Sequence, residues 1–240
     1  MANQLNIFLL IGQSNMSGRG RVNEIPSLSN PQLFMFREGR WTTAGEPLHT
    51  DKPNMAGIGL GMSFGVELIK ASGMAPIGLV PCAVGGTPLR RWMPGADLYD
   101  NAVATIRSAL SNGKLSGVLW HQGEGDSGSF DDASSYGERL SKMIAGLRSD
   151  LSAEHVPVIT GQLGSFLRKH EGYAFFELVN QQLRELEGQL SSYACVSAEG
   201  LTDNGDNLHF NAASLRNFGT RYARTYLELT ENTRVSEQSL

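Results

Sequence analysis

Four short stretches of this 240-residue chain gather side chains suited to acyl-transfer chemistry. The first is GQSNMSG at 12–18, which follows an apolar run and sets Ser14 one residue beyond a Gly-Gln step. A serine there has two readings. It caps the turn that follows, or it is a nucleophile whose neighbouring backbone N–H groups face a developing oxyanion. The second stretch is Asp206-Asn207-Leu208-His209. A spacing of three lets the carboxylate reach the imidazole and fix its tautomer, as a base serving a serine requires. The competing reading is an Asp that caps the last helix beside a surface His. The third, LWHQGEGD at 119–126, crowds His121, Gln122, Glu124 and Asp126 into a glycine-rich loop. The Gln122 amide is a candidate oxyanion donor, and the loop could equally cap a helix starting near Asp131. The fourth, VGGTPL at 84–89, exposes the N–H groups of Gly85 and Gly86 or simply makes a tight turn.

These stretches gain meaning from the elements before them. Apolar, β-rich runs at 6–12, 32–36, 75–84, 117–121, 156–162 and 193–197 read as strands. Helical spacing of three and four joins Tyr136, Leu140, Met143, Ile144 and Leu147. It recurs in Phe175, Phe176, Val179, Leu183 and Leu186, and in Leu215, Phe218, Tyr222 and Leu229. Strands alternating with helices imply a parallel sheet covered on both faces, with ligands at the carboxyl ends of the strands. All four chemical stretches lie at such ends or near the last one, so a parallel sheet brings them together. The polar, Gly- and Pro-rich stretch 37–62 reads as a long excursion at the substrate rim.

Composition narrows the classes. Hydrophobic residues at 40% and charged residues at 18% suit a globular core rather than disorder. Twenty-four acids against 20 bases give a net charge of −4, without the basic patch of a nucleic-acid binder. The stretch 1–5 has no basic leader and the apolar run 7–11 is too short for a signal or membrane span. The expectation is a cytoplasmic protein without a membrane partner, with phage-linked or non-classical release as the other route. Cys82 and Cys195 read as free thiols, and no Cys/His spacing suggests a metal.

Taken together, IGQSNMSGRG, GGTPL, WHQGEGD and DNLHF resemble the sequence blocks of SGNH hydrolases, and more narrowly the sialate O-acetylesterase and carbohydrate esterase family 6 (acetylxylan esterase-like) group. The resemblance spans 7 to about 226. It implies an α/β fold, three-layer α/β/α and flavodoxin-like, with a central parallel sheet of about five strands. One domain would occupy 1–230, with a polar, frayed tail at 231–240. It implies Ser14 as nucleophile with its own N–H in the oxyanion hole, Gly86 as a second donor with Gly85 the adjacent alternative, and Gln122 where other branches carry an asparagine. His209 would be the base. The substrate would be an O-acetyl ester of a carbohydrate, either acetylated xylan and its oligosaccharides or a sialic acid, with no cofactor and no metal. Two carboxylates compete to support His209: Asp206, favoured because it shares the turn, and Glu124, whose long side chain starts beside Gln122. Gln13, Asn15, Gly85, Thr87, His121 and Arg91 flank these positions and are the substrate-binding candidates.

Two rivals remain: an esterase or thioesterase for another small acyl ester on the same fold, and a non-catalytic carbohydrate-binding relative. The literal GMSFG at 61–65 follows no strand, so Ser63 reads as a helix residue rather than a nucleophile. His49, His155 and His170 read as surface residues, and Asp51 and Lys52 carry no signal.

Overall fold

Strand β1 (Leu5–Gly12) runs through the centre of the sheet and is buried along nearly its whole length. A strand covered on both faces needs apolar side chains at every position, which explains why NIFLLIG shows no alternation. The computed structural model describes residues 4–238. The first three residues of the N-terminal stretch and the last two of the polar tail lie outside the described residues. After β1 come the single-turn helix α1 (Ser14–Ser17), β2 (Leu33–Arg37), β3 (Arg40–Thr43), α2 (Leu60–Ser72), β4 (Ile77–Pro81) and α3 (Asp97–Ala109). The chain continues through β5 (Gly113–His121), α4 (Phe130–Ser134), α5 (Tyr136–Asp150), β6 (Val158–Gly161), α6 (Phe176–Glu185), β7 (Tyr193–Val196) and α7 (Ala212–Gln238).

The sheet order is β3-β2-β4-β1-β5-β6-β7, parallel throughout except for the β2–β3 pair. It therefore has seven strands rather than about five. Strands β4, β1, β5, β6 and β7 alone follow the flavodoxin-like order 2-1-3-4-5. The difference lies in β2, expected over 32–36, and the unforeseen β3, which falls in the stretch read as a loop and completes a hairpin at one edge.

Neighbouring residues of β5 show the layering, because successive side chains of a strand point to opposite faces. Trp120 donates its indole N–H to Tyr136 of α5, while His121 meets Phe218 and Tyr222 of α7. Helix α2 packs along α7, and α5 touches Tyr99 of α3 and Gln182 of α6. One apolar core runs from Leu5 to Tyr226. Helix α7 continues to Gln238, across the segment expected to be a frayed tail. Both cysteines are free thiols, Cys82 buried and Cys195 half-buried. No helix among the described residues is long and apolar enough to cross a membrane.

Candidate active site

The chain order reverses between β1 and β5, and such a switch point opens a crevice at the carboxyl ends of the strands. The two strand ends touch. Gly12 has φ 129°, and a Cβ there would fall 2.1 Å from the carbonyl oxygen of His121. Only glycine permits that approach. It lets Gln13 donate its N–H to His121 O at 2.9 Å and turns the chain into α1 with Ser14 first. Gln13, not Ser14, takes the cap position, and it makes no side-chain cap bond. The capping reading of Ser14 is thus replaced by another arrangement: its hydroxyl lies 3.1 Å from His209 Nε2.

His209 sits in a tight loop built by short acidic side chains. Asp203 accepts the N–H groups of Gly205 and Asn207, and Asn207 adopts φ 54°, a region asparagine tolerates. Asp206 Oδ1 accepts the N–H groups of Leu208 and His209 at 2.9 and 2.8 Å. Its Oδ2 lies 2.6 Å from His209 Nδ1. Partial burial pushes the Asp206 carboxyl up. The backbone N–H and ring of His209, with Leu208 N–H, outweigh that and hold it below the usual carboxylate range. Ser14, His209 and Asp206 form one continuous hydrogen-bonded chain. The N–H groups of Ser14 and Gly86 have no intramolecular acceptor among the described residues. The Gly85–Gly86 turn adjoins Ser14, since a Cβ on Gly85 would come 3.4 Å from Ser14 Cβ.

Several candidates are placed elsewhere. Gln122 is fully buried, and its amide nitrogen faces Asp126 Oδ2, Thr87 O and Gln13 Oε1 at 2.7, 3.1 and 3.2 Å. Three acceptors for two hydrogens leave none for an oxyanion, so the expectation of a Gln122 donor is corrected. Gly85 is corrected too, because its N–H is taken by Asp51 Oδ2 at 2.7 Å. Four substrate-binding candidates are interior struts. Gln13 Oε1 accepts from Gly125 N–H as well as Gln122. Thr87 Oγ1 donates to Val84 O and accepts from Trp92. His121 lies beneath the loop, 3.6 Å from Glu124. Asn15 donates to Glu124 and to Leu208 O and accepts Phe210 N–H, stitching α1 to the His209 loop. Arg91 pairs with Asp97 at the start of α3. Glu124 is buried and does not reach His209. Burial pushes its carboxyl up, but His121 and Asn15 hold it below its ordinary value.

Two residues escaped sequence reasoning. Arg19 and Asp51 form a buried ion pair at 2.7 Å, with Arg19 also donating to Gly18 O. Since Asp51 holds Gly85 N–H, this pair ties the turn after Ser14 to the Gly85–Gly86 loop. Arg19 lies inside the GQSNMSGRG block, which offered a signal, while Asp51 had none. Asp126 joins Leu89 N–H, Gln122 and Arg139.

His49, expected at the surface, is also buried, with both ring nitrogens unpartnered. Burial lowers its pKa to about 4, despite Asp51 nearby. The unfolded chain therefore takes up this proton first as pH falls from about 6.5 towards 4, and stability drops by about 1.4 kcal/mol per pH unit over that window. His49→Leu should retain about 2–3 kcal/mol more of its neutral-pH stability than the wild type does at pH 4.5, measured by urea unfolding at pH 7 and 4.5. Equal losses in the two proteins would reject this origin of acid sensitivity. His155 is exposed and His170 half-buried. Among the described residues no group of His, Cys, Asp or Glu is arranged to hold a metal ion.

Known proteins are similar to this chain in sequence and in fold. The family described as carbohydrate esterase, sialic acid-specific acetylesterase matches residues 4–228. A probable carbohydrate esterase of Arabidopsis thaliana is 36% identical over 241 residues, covering 92% of this chain and 90% of that protein. An X-ray structure of an Arabidopsis thaliana protein superposes with a TM-score of 0.86 at 33% identity, covering 94% of this chain and 99% of that one. NanS superposes with a TM-score of 0.78 at 18% identity, covering 95% and 98%, a likeness of fold alone.

Proposed function

This chain belongs to the sialic acid-specific acetylesterase family of carbohydrate esterases, and we propose that it cleaves sugar O-acetyl esters through an acetyl-enzyme formed on Ser14. The observation that carries this reading is the unbroken Ser14–His209–Asp206 chain at 3.1 and 2.6 Å. Ser14 Oγ bonds to the acetyl carbon as its proton passes to His209 Nε2. The carbonyl electron pair moves to oxygen, facing the N–H groups of Ser14 and Gly86. Collapse breaks the bond to the sugar oxygen, which takes the proton from His209. Water then attacks the acetyl-enzyme, His209 again receives the proton, and acetate leaves as Ser14 regains its hydrogen. Asp206 holds the Nδ1–H tautomer and offsets the imidazolium charge in both halves.

The substrate in this reading is an acetylated oligosaccharide or sialic acid. Acetate release from acetylated xylan, acetylated monosaccharides and O-acetyl sialic acid tests it, beside turnover of 4-nitrophenyl acetate with and without a serine-directed inhibitor. Inhibitor-resistant turnover would reject the Ser14 mechanism. Hydrolysis of simple esters without any sugar acetate would favour the general-esterase rival.

The Arg19–Asp51 pair supplies a further expectation. If it positions Gly86 N–H by way of Gly85, Asp51→Asn should lower kcat by about 10–10²-fold with KM nearly unchanged, a fraction of what losing a whole donor costs. Steady-state kinetics on 4-nitrophenyl acetate decide this, with thermal unfolding alongside, since removing one partner of a buried pair is itself destabilising by about 3–5 kcal/mol. A folded variant with wild-type kcat would reduce the pair to a purely structural tie.

A further inference from the structure

Beside the loop that carries Glu124, the chain from β6 to α6 makes a turn over Glu171–Tyr173 that the mechanism does not use. This turn is pinned to the loop. Phe175 N–H donates to Ser127 O at 2.9 Å, and a Cβ on Gly128 would meet Gly172 O at 2.8 Å. The preceding turn, Ser165–Lys169, is fixed from the other side, where Phe166 packs edge-on against Phe210 with centroids 4.9 Å apart. Phe210 directly follows His209. The segment is thus anchored both to the Glu124 loop and to the residue after the base.

Two rings face out from this frame. His170 and Tyr173 pack at a centroid separation of 4.5 Å and an interplanar angle of 48°. The His170 ring is held by Gly172 N–H, which donates to Nδ1 at 3.2 Å. Both rings are half-buried, and they line a hollow of about 280 Å³ with Glu171, Arg168 and Glu177 at its polar rim. Burial raises the pKa of Tyr173, and the negative charges of Glu124 and Asp206 raise it further.

We propose that Tyr173, braced by His170, is the platform on which a pyranose ring of the acetylated substrate stacks. The proposal rests on the carbohydrate reading above. A pyranose presents one face of axial C–H bonds and a rim of hydroxyls. An aromatic face with charged groups around it suits both, and a ring with two rotatable bonds loses little freedom on binding. The hollow is of single-ring size, at the small end of ligand sites. Stacking here acts on ground state and transition state alike, so it shows in KM rather than kcat.

The test compares Tyr173→Ala, Tyr173→Leu and Tyr173→Phe on two esters, an acetylated methyl xyloside and ethyl acetate. Ethyl acetate has no ring to stack, unlike a nitrophenyl ester. Tyr173→Ala and Tyr173→Leu should raise KM for the xyloside about tenfold with kcat within twofold, while Tyr173→Phe stays close to wild type. Turnover of ethyl acetate should be unchanged in all three. Unchanged KM for the xyloside in Tyr173→Ala overturns the platform alone. So does an equal loss on both esters, which would make Tyr173 a structural brace. Wild-type protein that hydrolyses ethyl acetate but no acetylated pyranoside overturns the carbohydrate reading and the platform with it. Wild-type protein inert on both esters removes the esterase mechanism as well.

Discussion

Ser14→Ala is expected to lower acetylesterase turnover by about 10⁴-fold or more while the protein stays folded. Among the described residues the Ser14 hydroxyl makes one hydrogen bond, to His209, so losing it costs stability on the order of 1 kcal/mol. Its catalytic contribution has no substitute, because no other hydroxyl shares a hydrogen bond with His209 Nε2. The informative control is Ser63→Ala. That hydroxyl donates to Leu60 O and Leu215 O inside the α2–α7 contact, so its removal should touch stability and leave the rate alone. Initial rates of acetate release, paired with circular dichroism, measure both variants. Near-normal turnover in Ser14→Ala, or loss confined to Ser63→Ala, would move the nucleophile elsewhere.

The second large effect separates the two carboxylates. Asp206→Asn should reduce kcat by about 10⁴-fold, as the corresponding change does in serine proteases, because an amide at Nδ1 no longer enforces the tautomer that leaves Nε2 free to accept a proton. Glu124→Gln should cost only about tenfold. Glu124 acts through Asn15, whose amide it receives, and Asn15 in turn receives Phe210 N–H. A glutamine oxygen can still accept from Asn15, so most of the positioning survives. The two variants are compared for kcat at the same pH on the same ester. A crippled Glu124→Gln beside an active Asp206→Asn would reverse the assignment. Matched severe losses would mean that both carboxylates govern His209.

The sequence carried the strand ends and the residues at them, because a buried parallel sheet leaves long apolar runs that stop at polar, glycine-rich loops. Ser14, Asp206 and His209 were legible for that reason, and Ser63 was excluded for lack of a strand before it. The hairpin partner of β2, strand β3, was not. The turn between the two, Glu38-Gly39, has φ of 51° and 74°, the two positive values of a tight hairpin, but glutamate is a poor marker for that geometry. Helix α3 was also missed, although Leu98, Ala102, Val103, Ile106 and Ala109 follow its inner face. The roles of Gln13, Asn15, Thr87 and Gln122 could not be read at all. Polar residues beside a nucleophile look alike in sequence whether they face the crevice or brace it from below. Only burial and hydrogen-bond partners separate the two, and both depend on residues far along the chain, such as Asp126 and Glu124. Asp51 and His49 lay in a stretch without periodicity, and their burial comes wholly from tertiary packing.

The 195-residue separation between Ser14 and His209 has a consequence for the newborn protein. A ribosome adding about 5–20 residues per second makes the nucleophile roughly 10–40 s before the base. The loop that presents His209 is followed at once by α7, which must emerge in turn before it can close over α2. A nascent chain in the Ser14–His209–Asp206 reading therefore carries its serine unarmed while the residues up to His209 are made. In that reading esterase competence arrives only with the base and the helix that seals one face of the sheet. Chains truncated before 206 would lack the base and its carboxylate together, so incomplete products would be inert towards cellular esters.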